Sequence, residues 1–256
     1  MTFINSIDNK LINSTKKLFS DKKYRDQSNL FVAETYKVVD TLIKQGFVPR
    51  NILITKSSHY FQKMSGHQSL VVVAERIYEA ISELKNGDGV IAIFNKAKKT
   101  DKKIELNKKY IILNNIQNPD NFGSILRTAT AFNIDGIIIS NDSVDMYHPR
   151  VIRGCMGYGL NLIISKTTKL YELINHLHQI GIKVYATGVN NKAIAVNKVS
   201  LKNVAIVFGN EGNGLSSKEM NACDKTIYVP INPIVDSLNL SNAVAILAYI
   251  MSYENN

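Results

Sequence analysis

Short apolar, β-rich runs recur along the whole chain, and most are separated by stretches with helical periodicity. Leu30–Ala33, Asn51–Thr55, Leu70–Val73 and Val90–Phe94 read as buried strands in the first half. Tyr110–Asn114, Gly136–Ser140, Leu160–Ser165, Ile182–Thr187 and Asn203–Phe208 repeat the pattern in the second. Helical stretches are expected at Ser6–Phe19, Glu34–Gln45 with Gly46 as its stop, Glu75–Leu84, Phe122–Phe132, Lys169–Ile180 and Leu238–Tyr253. Strands alternating with helices imply α/β sheet layers, and 256 residues suit two of them. The stretch 96–109 is almost devoid of apolar residues and rich in lysine. It reads as a linker between an N-terminal domain, 1–95, and a C-terminal one, 110–256.

Charge is divided unequally between the two halves. The chain carries 31 basic against 21 acidic side chains, a net of +10. Residues 1–109 hold 20 of the basic and 11 of the acidic groups, whereas 110–256 hold 11 and 10. A compositional taste for lysine would have raised it throughout. The clusters at Lys10, Lys16, Lys17, Lys22, Lys23 and Arg25, and from Lys96 through Lys98, Lys99, Lys102 and Lys103 to Lys108 and Lys109, therefore suggest a polyanion-gripping module joined to a near-neutral working domain. Cys155 and Cys223, 68 positions apart, exclude a disulfide framework, and no His/Cys/Asp/Glu cluster has metal-ligand spacing. Neither a membrane-length apolar run nor a signal-peptide layout is present, so a soluble cytoplasmic protein is expected, with neither metal nor membrane as partner.

Three segments gather polar residues and glycines at strand ends, where an open parallel sheet places its ligand crevice. Gly209-Asn210-Glu211-Gly212-Asn213-Gly214 follows a strand and matches neither a P-loop nor a dinucleotide fingerprint. In Val229-Pro230-Ile231-Asn232-Pro233-Ile234-Val235-Asp236-Ser237-Leu238-Asn239-Leu240-Ser241, Ser237 reads as the N-cap of the last helix. Asn239 is then a poor helix former just inside the start. In the third segment, 114–127, Asn121 reads as a helix cap and Arg127 projects from the second turn of a mostly apolar helix. Arg127 is either a surface arginine paired with a carboxylate or a bidentate phosphate clamp.

These segments, in this order, resemble the SpoU (TrmH-like) RNA ribose 2′-O-methyltransferases of the SPOUT superfamily. NPDNFGSILRTA (118–129), IVFGNEGNGLS (206–216) and VPINPIVDSLNLSNAVAI (229–246) carry the resemblance, with DSVDMYHPRVIRGCMG (142–157) alongside. KKYRDQSNLFVAETYKVVDTL (22–42) is similar to the opening of the family's RNA-binding extension. The resemblance implies a C-terminal α/β-knot, a trefoil-knotted parallel sheet, preceded by a smaller α/β substrate-binding domain. It implies S-adenosylmethionine as cofactor, held by Gly209, Glu211, Val229 and Leu238, with Thr187 and Gly188 beside them. It implies a catalytic cluster of Asn121, Arg127, Glu211, Ser237 and Asn239, and RNA contacts through Lys22, Lys23, Arg25 and Arg127. The expected protein is a homodimer that methylates a ribose 2′-hydroxyl, in large-subunit ribosomal RNA rather than transfer RNA. The alternatives are the same reaction on transfer RNA and a non-catalytic dimeric RNA-binding protein. Three positions depart from the family pattern: Thr35 and Pro233 stand where glycine is frequent, and Cys155 where serine is.

Overall fold

The computed structural model describes residues 2–97, 103–140, 142–167 and 169–254; Lys98, Lys99 and Lys102 of the second basic cluster lie outside them. The chain forms two compact units, Met1–Lys98 with Asp145–Tyr158, and Lys99–Val144 with Gly159–Asn256. Its first stretch runs β1 (Thr2–Ile4), α1 (Lys10–Ser20), α2 (Lys22–Ser28), β2 (Leu30–Glu34), α3 (Tyr36–Lys44), β3 (Pro49–Ile54), α4 (Phe61–Met64), β4 (Leu70–Val73), α5 (Glu75–Ile81) and β5 (Val90–Asn95). Next come β6 (Tyr110–Leu113), α6 (Pro119–Ala131), β7 (Gly136–Ser140), α7 (Pro149–Gly154), β8 (Ile163–Thr167) and α8 (Leu170–Gln179). The chain ends with β9 (Lys183–Thr187), β10 (Ile194–Ala195), β11 (Val204–Phe208), α9 (Ser217–Ala222), β12 (Lys225–Tyr228) and α10 (Leu240–Tyr253).

In the first unit the strand order is β1-β4-β3-β5-β2, with β5 antiparallel to both neighbours. Ile12 and Leu18 of α1 and Ile77 and Ile81 of α5 cover one face, packing on Val32, Leu53 and Ile91. Val38, Val39 and Leu42 of α3 are buried as well. The segment 145–158, expected in the C-terminal domain, belongs here. The Tyr147 ring lies 4.9 Å from Phe31, and the Tyr147 hydroxyl accepts the Ala97 amide at 3.0 Å.

Arg25 corrects the expectation of an RNA contact. It is 2% exposed, on the inner side of α2. Its Nε donates to Asp145 Oδ2 at 2.9 Å, and its Nη1 to the carbonyls of Leu18 and Phe19 at 2.8 and 3.1 Å. The guanidinium thus caps the C-terminal end of α1 and pairs with the returning segment. Once its charge is sealed inside, it has no reach to a phosphate. Lys22 and Lys23, in the first turn of the same helix, are exposed.

The second unit is a seven-stranded sheet in the order β10-β12-β9-β11-β6-β7-β8, parallel throughout. Leu170, Ile174 and Leu177 of α8 pack one face on Ile112, Ile138, Val184 and Val207. Near-continuous apolar strands are what a parallel sheet buried on both faces requires. The expected strand from Leu160 opens instead with a 3₁₀ turn, Leu160–Leu162, and pairs only from Ile163. Since β12, β9, β11 and β6 are neighbours and run the same way, the loops after them emerge along one edge.

Candidate active site

The loop after β11 is shaped by Gly209. A Cβ there would lie 2.3 Å from the Gly214 carbonyl carbon and 2.5 Å from the Leu215 nitrogen, so only glycine permits the turn. The Gly214 amide donates to the Asn210 carbonyl at 2.9 Å, and Asn210 Oδ1 accepts the amides of Gly212 and Asn213 at 2.9 and 3.1 Å. Asn210 Nδ2 reaches the Asn115 carbonyl at 2.9 Å, which ties this loop to the one after β6.

Glu211 stands on the turn so formed. Its Oε2 accepts the Gln117 amide at 3.1 Å, and its Oε1 accepts the Asn118 amide at 3.0 Å and Asn121 Nδ2 at 3.3 Å. Burial alone would raise this carboxyl. The backbone donors of Gln117, Glu211 and Asn118 and the Asn121 side chain together outweigh it and hold the group below the usual carboxylate range. Glu211 is therefore an ionised clamp on the start of α6.

The cap of α6 is Asn118, not Asn121. Asn118 Oδ1 accepts the amides of Asp120 and Asn121 at 2.8 and 3.4 Å, and Pro119 fills the first helical position. A proline there needs no amide partner and fixes the cap on the residue before it. Asn121 is thereby released from capping, and its Oδ1 accepts Asn239 Nδ2 at 3.0 Å.

The cap of α10 is also displaced. Asn239, not Ser237, occupies it: Asn239 Oδ1 accepts the Ser241 amide at 2.9 Å and the Ser241 hydroxyl at 2.7 Å. Asparagine caps as well as serine does, and its poor helix propensity costs nothing outside the helix. Ser237 lies exposed in the preceding loop and does not share a helix face with Ser241; Leu238 beside it is half-buried. The sequence reading missed Asn118, Gln117 and Asn210. The Asn-Pro pair at 118–119 was the signal for the first.

Glu211 on the loop after β11, Asn121 in the first turn of α6 and Asn239 at the N-cap of α10 thus form one hydrogen-bonded chain. Arg127 is exposed on α6, and no described carboxylate pairs with it. The guanidinium thus presents a planar cation to solvent. Thr187 spends its hydroxyl on the Val207 carbonyl at 2.9 Å, and the Gly188 amide donates to Ile227 at 3.1 Å, so both brace neighbouring strand ends. Val229 follows β12 and is half-buried. The Leu238 amide, outside any helix or strand, donates to no protein acceptor among the described residues. Backbone groups at the ends of β9 and β11, with apolar Val229 just after β12 and Leu238 just before α10, fit a cofactor bearing both an aromatic base and polar groups. Cys155 is a buried thiol pushed up to about 12 by burial, which suits packing and not chemistry. Among the described residues no three His, Cys, Asp or Glu side chains gather as a metal site.

Residues 108–249 match the SpoU rRNA methylase family, and residues 9–92 match the MRM3-like substrate binding domain. The chain is 25% identical to the Bacillus subtilis 23S rRNA (guanosine(2553)-2′-O)-methyltransferase RlmP over 97% of its own length and 98% of that protein's. In fold it is similar to an RNA 2′-O ribose methyltransferase, with a TM-score of 0.85 at 23% identity over 99% of both chains. It is likewise similar to an AdoMet-bound rRNA methyltransferase from Sinorhizobium meliloti, with a TM-score of 0.84 at 23% identity over 99% of this chain and 97% of the other.

Proposed function

The chain belongs to the SpoU rRNA methylase family, and from that premise we propose that it transfers a methyl group from S-adenosylmethionine to a ribose 2′-hydroxyl of large-subunit ribosomal RNA. The hydrogen-bonded chain Glu211–Asn121–Asn239 carries this reading, because it gathers three dispersed motifs into one polar cluster beside strand ends suited to a cofactor. A scaffold that only dimerised would need no such alignment. The Bacillus subtilis relative acts on 23S rRNA, which favours ribosomal over transfer RNA.

The cofactor supplies an activated methyl group on a sulfonium centre. Gly209, Val229 and Leu238 would hold it mainly through backbone groups, with Thr187 and Gly188 bracing the neighbouring strand ends. Arg127 would grip the phosphate next to the target ribose. A guanidinium is a poor base, so its part is to place the ribose and stabilise charge while the phosphate or solvent takes the proton. Asn121 and Asn239 would orient the 2′-oxygen, Glu211 fixes Asn121, and Ser237, exposed in the loop before α10, would add its hydroxyl. Aligned reactants supply much of the rate, on the order of 7–11 kcal/mol.

The same reading includes a homodimer and an α/β-knot. Tyr249 and Tyr253 on α10 are 54% and 72% exposed, and Ile234 in the loop before it is 87% exposed, a surface suited to a second copy. Membership of the SpoU family supports the knot. The reading also puts the enzyme in the cytoplasm with its RNA; no described helix is long and apolar enough to cross a membrane.

Incubation of the purified protein with radiolabelled S-adenosylmethionine and separate 23S rRNA and transfer RNA fractions tests the proposal. Alkali-resistant label in 23S rRNA is expected, with calorimetric binding of the cofactor. Absence of both cofactor binding and label in any RNA would overturn it.

A further inference from the structure

The methyl-transfer site leaves one arrangement in the first unit unused. β2 and β3 both run antiparallel to β5, so their carboxyl ends share an edge with the loops 55–60 and 82–89. At this edge the rings of Tyr36 and Tyr60 stack face to face, 4.0 Å between centroids and 8° between planes. Lys63 Nζ lies 4.8 Å from the Tyr36 ring centroid, and both Lys63 and Lys37 are exposed.

The lower ring of the stack is locked. Tyr36 is 7% exposed, and its amide donates to Asp88 Oδ2 at 2.7 Å. Thr35 before it adopts φ +80, which a β-branched residue takes only under strain. Its amide bond to the Val90 carbonyl, 3.0 Å, helps hold it there. Tyr60, half-exposed, rests on this fixed ring. An aliphatic side chain would cover Tyr36 equally well; a second aromatic ring rimmed by lysines also presents a π face and cations.

A cavity of about 660 Å³ lies among the loops of the same edge, lined among others by Ser58, His59, Ser82, Lys85 and Asp88. It meets the tyrosines through the chain, since Tyr60 follows His59 and Asp88 holds the Tyr36 amide. The carboxylates of Glu75, Glu79, Glu83 and Asp88 outnumber Lys85 there and repel phosphate, while they and the serine hydroxyls can accept hydrogen bonds from amino and hydroxyl groups. A nucleotide chain would therefore face its bases toward the cavity and its phosphates toward the lysines.

We propose that this edge binds an unpaired stretch of the RNA substrate, one base stacking on Tyr60 while Lys63 and Lys37 hold flanking phosphates. An unpaired strand is required because a base inside a duplex has both faces covered by its neighbours. The inference rests on the RNA-methyltransferase reading above and assigns part of its substrate contact.

Fluorescence anisotropy on the full-length protein, with a labelled single-stranded oligoribonucleotide and the same strand in a perfect duplex, tests it. Tyr60→Ala should weaken single-strand binding about tenfold, and Tyr60→Phe should stay within about twofold. Lys63→Gln should lower the slope of log affinity against log salt by about 0.7. Cofactor titration and the thermal midpoint report on folding of Tyr60→Ala, and the exposed Lys63 serves as an independent probe. Unchanged binding by Tyr60→Ala together with an unchanged salt slope in Lys63→Gln would overturn the site, as would equal losses in Tyr60→Ala and Tyr60→Phe. If the wild type methylates 23S rRNA while these variants bind RNA normally, the site alone fails. If the wild type neither binds cofactor nor methylates, yet loses single-strand affinity on Tyr60→Ala, the enzymatic reading fails and the site stands.

Discussion

Each unit has a glutamate at or just beyond the carboxyl end of a strand, and the two are held in opposite ways. Glu34 closes β2 and is 4% exposed. Its oxygens receive the Ser82 hydroxyl, with Tyr78 and the Glu83 amide at 3.5 and 3.4 Å. Burial dominates and pushes its carboxyl up. Glu211 is exposed and receives three donors between 3.0 and 3.3 Å, and its carboxyl lies below the usual range. The donors on Glu211 outweigh its partial burial, whereas those on Glu34 do not outweigh its deeper burial. The unit with the excess of lysines has the less favourably charged glutamate, and the near-neutral unit has the chemical clamp.

The arginines sharpen that contrast and give the largest expected effect. Arg127→Ala in the second unit should lower methyl transfer by roughly 10²–10³-fold while leaving cofactor affinity within about twofold, read by single-turnover labelling and calorimetry. Retained activity would break the assignment. Arg25→Met in the first unit should instead cost about 3–5 kcal/mol of stability in denaturant titration, because it strands Asp145 in the interior. The double variant Arg25→Met/Asp145→Leu should recover most of that loss. If Arg25→Met were as stable as wild type and merely bound RNA more weakly, Arg25 would return to the surface role expected from sequence.

A smaller gain is expected at Thr35. Replacing it with glycine removes the penalty of φ +80 and should stabilise the protein by about 1 kcal/mol, read as a raised denaturation midpoint. The smallest effect is a difference in acid response. Glu34, with its native pKa raised above the ordinary 4.5, binds more protons folded than unfolded, so its contribution to stability falls as pH rises from about 4.5 through the native value. Glu211, with its native pKa lowered, contributes stability that is present above 4.5 and lost as pH falls through the native value. Glu34→Gln should therefore steepen the loss of stability on acidification, and Glu211→Gln should flatten it, in urea titrations repeated across the acid range. Slopes of the same sign would erase the distinction drawn between the two carboxylates.

Sequence made the alternation of elements, the division of charge and the three motifs legible, because each is local. It was less informative where one residue competes with another for a role. Asn118 and Asn121 both suit a cap, and Pro119 decides between them; Ser237 and Asn239 both suit a cap, and the chain uses the later one. The bond between Asn121 and Asn239 joins residues 118 apart, and no periodicity reports it. Arg25 sits within a run of lysines and shares their charge. Only its orientation on α2, toward Asp145 and the end of α1, separates it from them, and Asp145 lies 120 residues away. The Thr35 departure from glycine was visible, whereas its cost became visible only with the backbone angle.

The excursion of 145–158 into the first unit bears on the order in which the protein is made. Domains tend to fold as they leave the ribosome, N-terminal first. Here the first unit has the earlier start but the later completion: Arg25 has no counter-ion, and Phe31 lacks the Tyr147 ring, until synthesis has passed well into the second unit. Strands β6 and β7 and the helix carrying Asn121 and Arg127 are already polymerised by then. The nascent chain therefore holds its first unit incomplete until the Asn118–Arg127 segment of the second exists, and a translation product that stops short of Asp145 has neither unit whole.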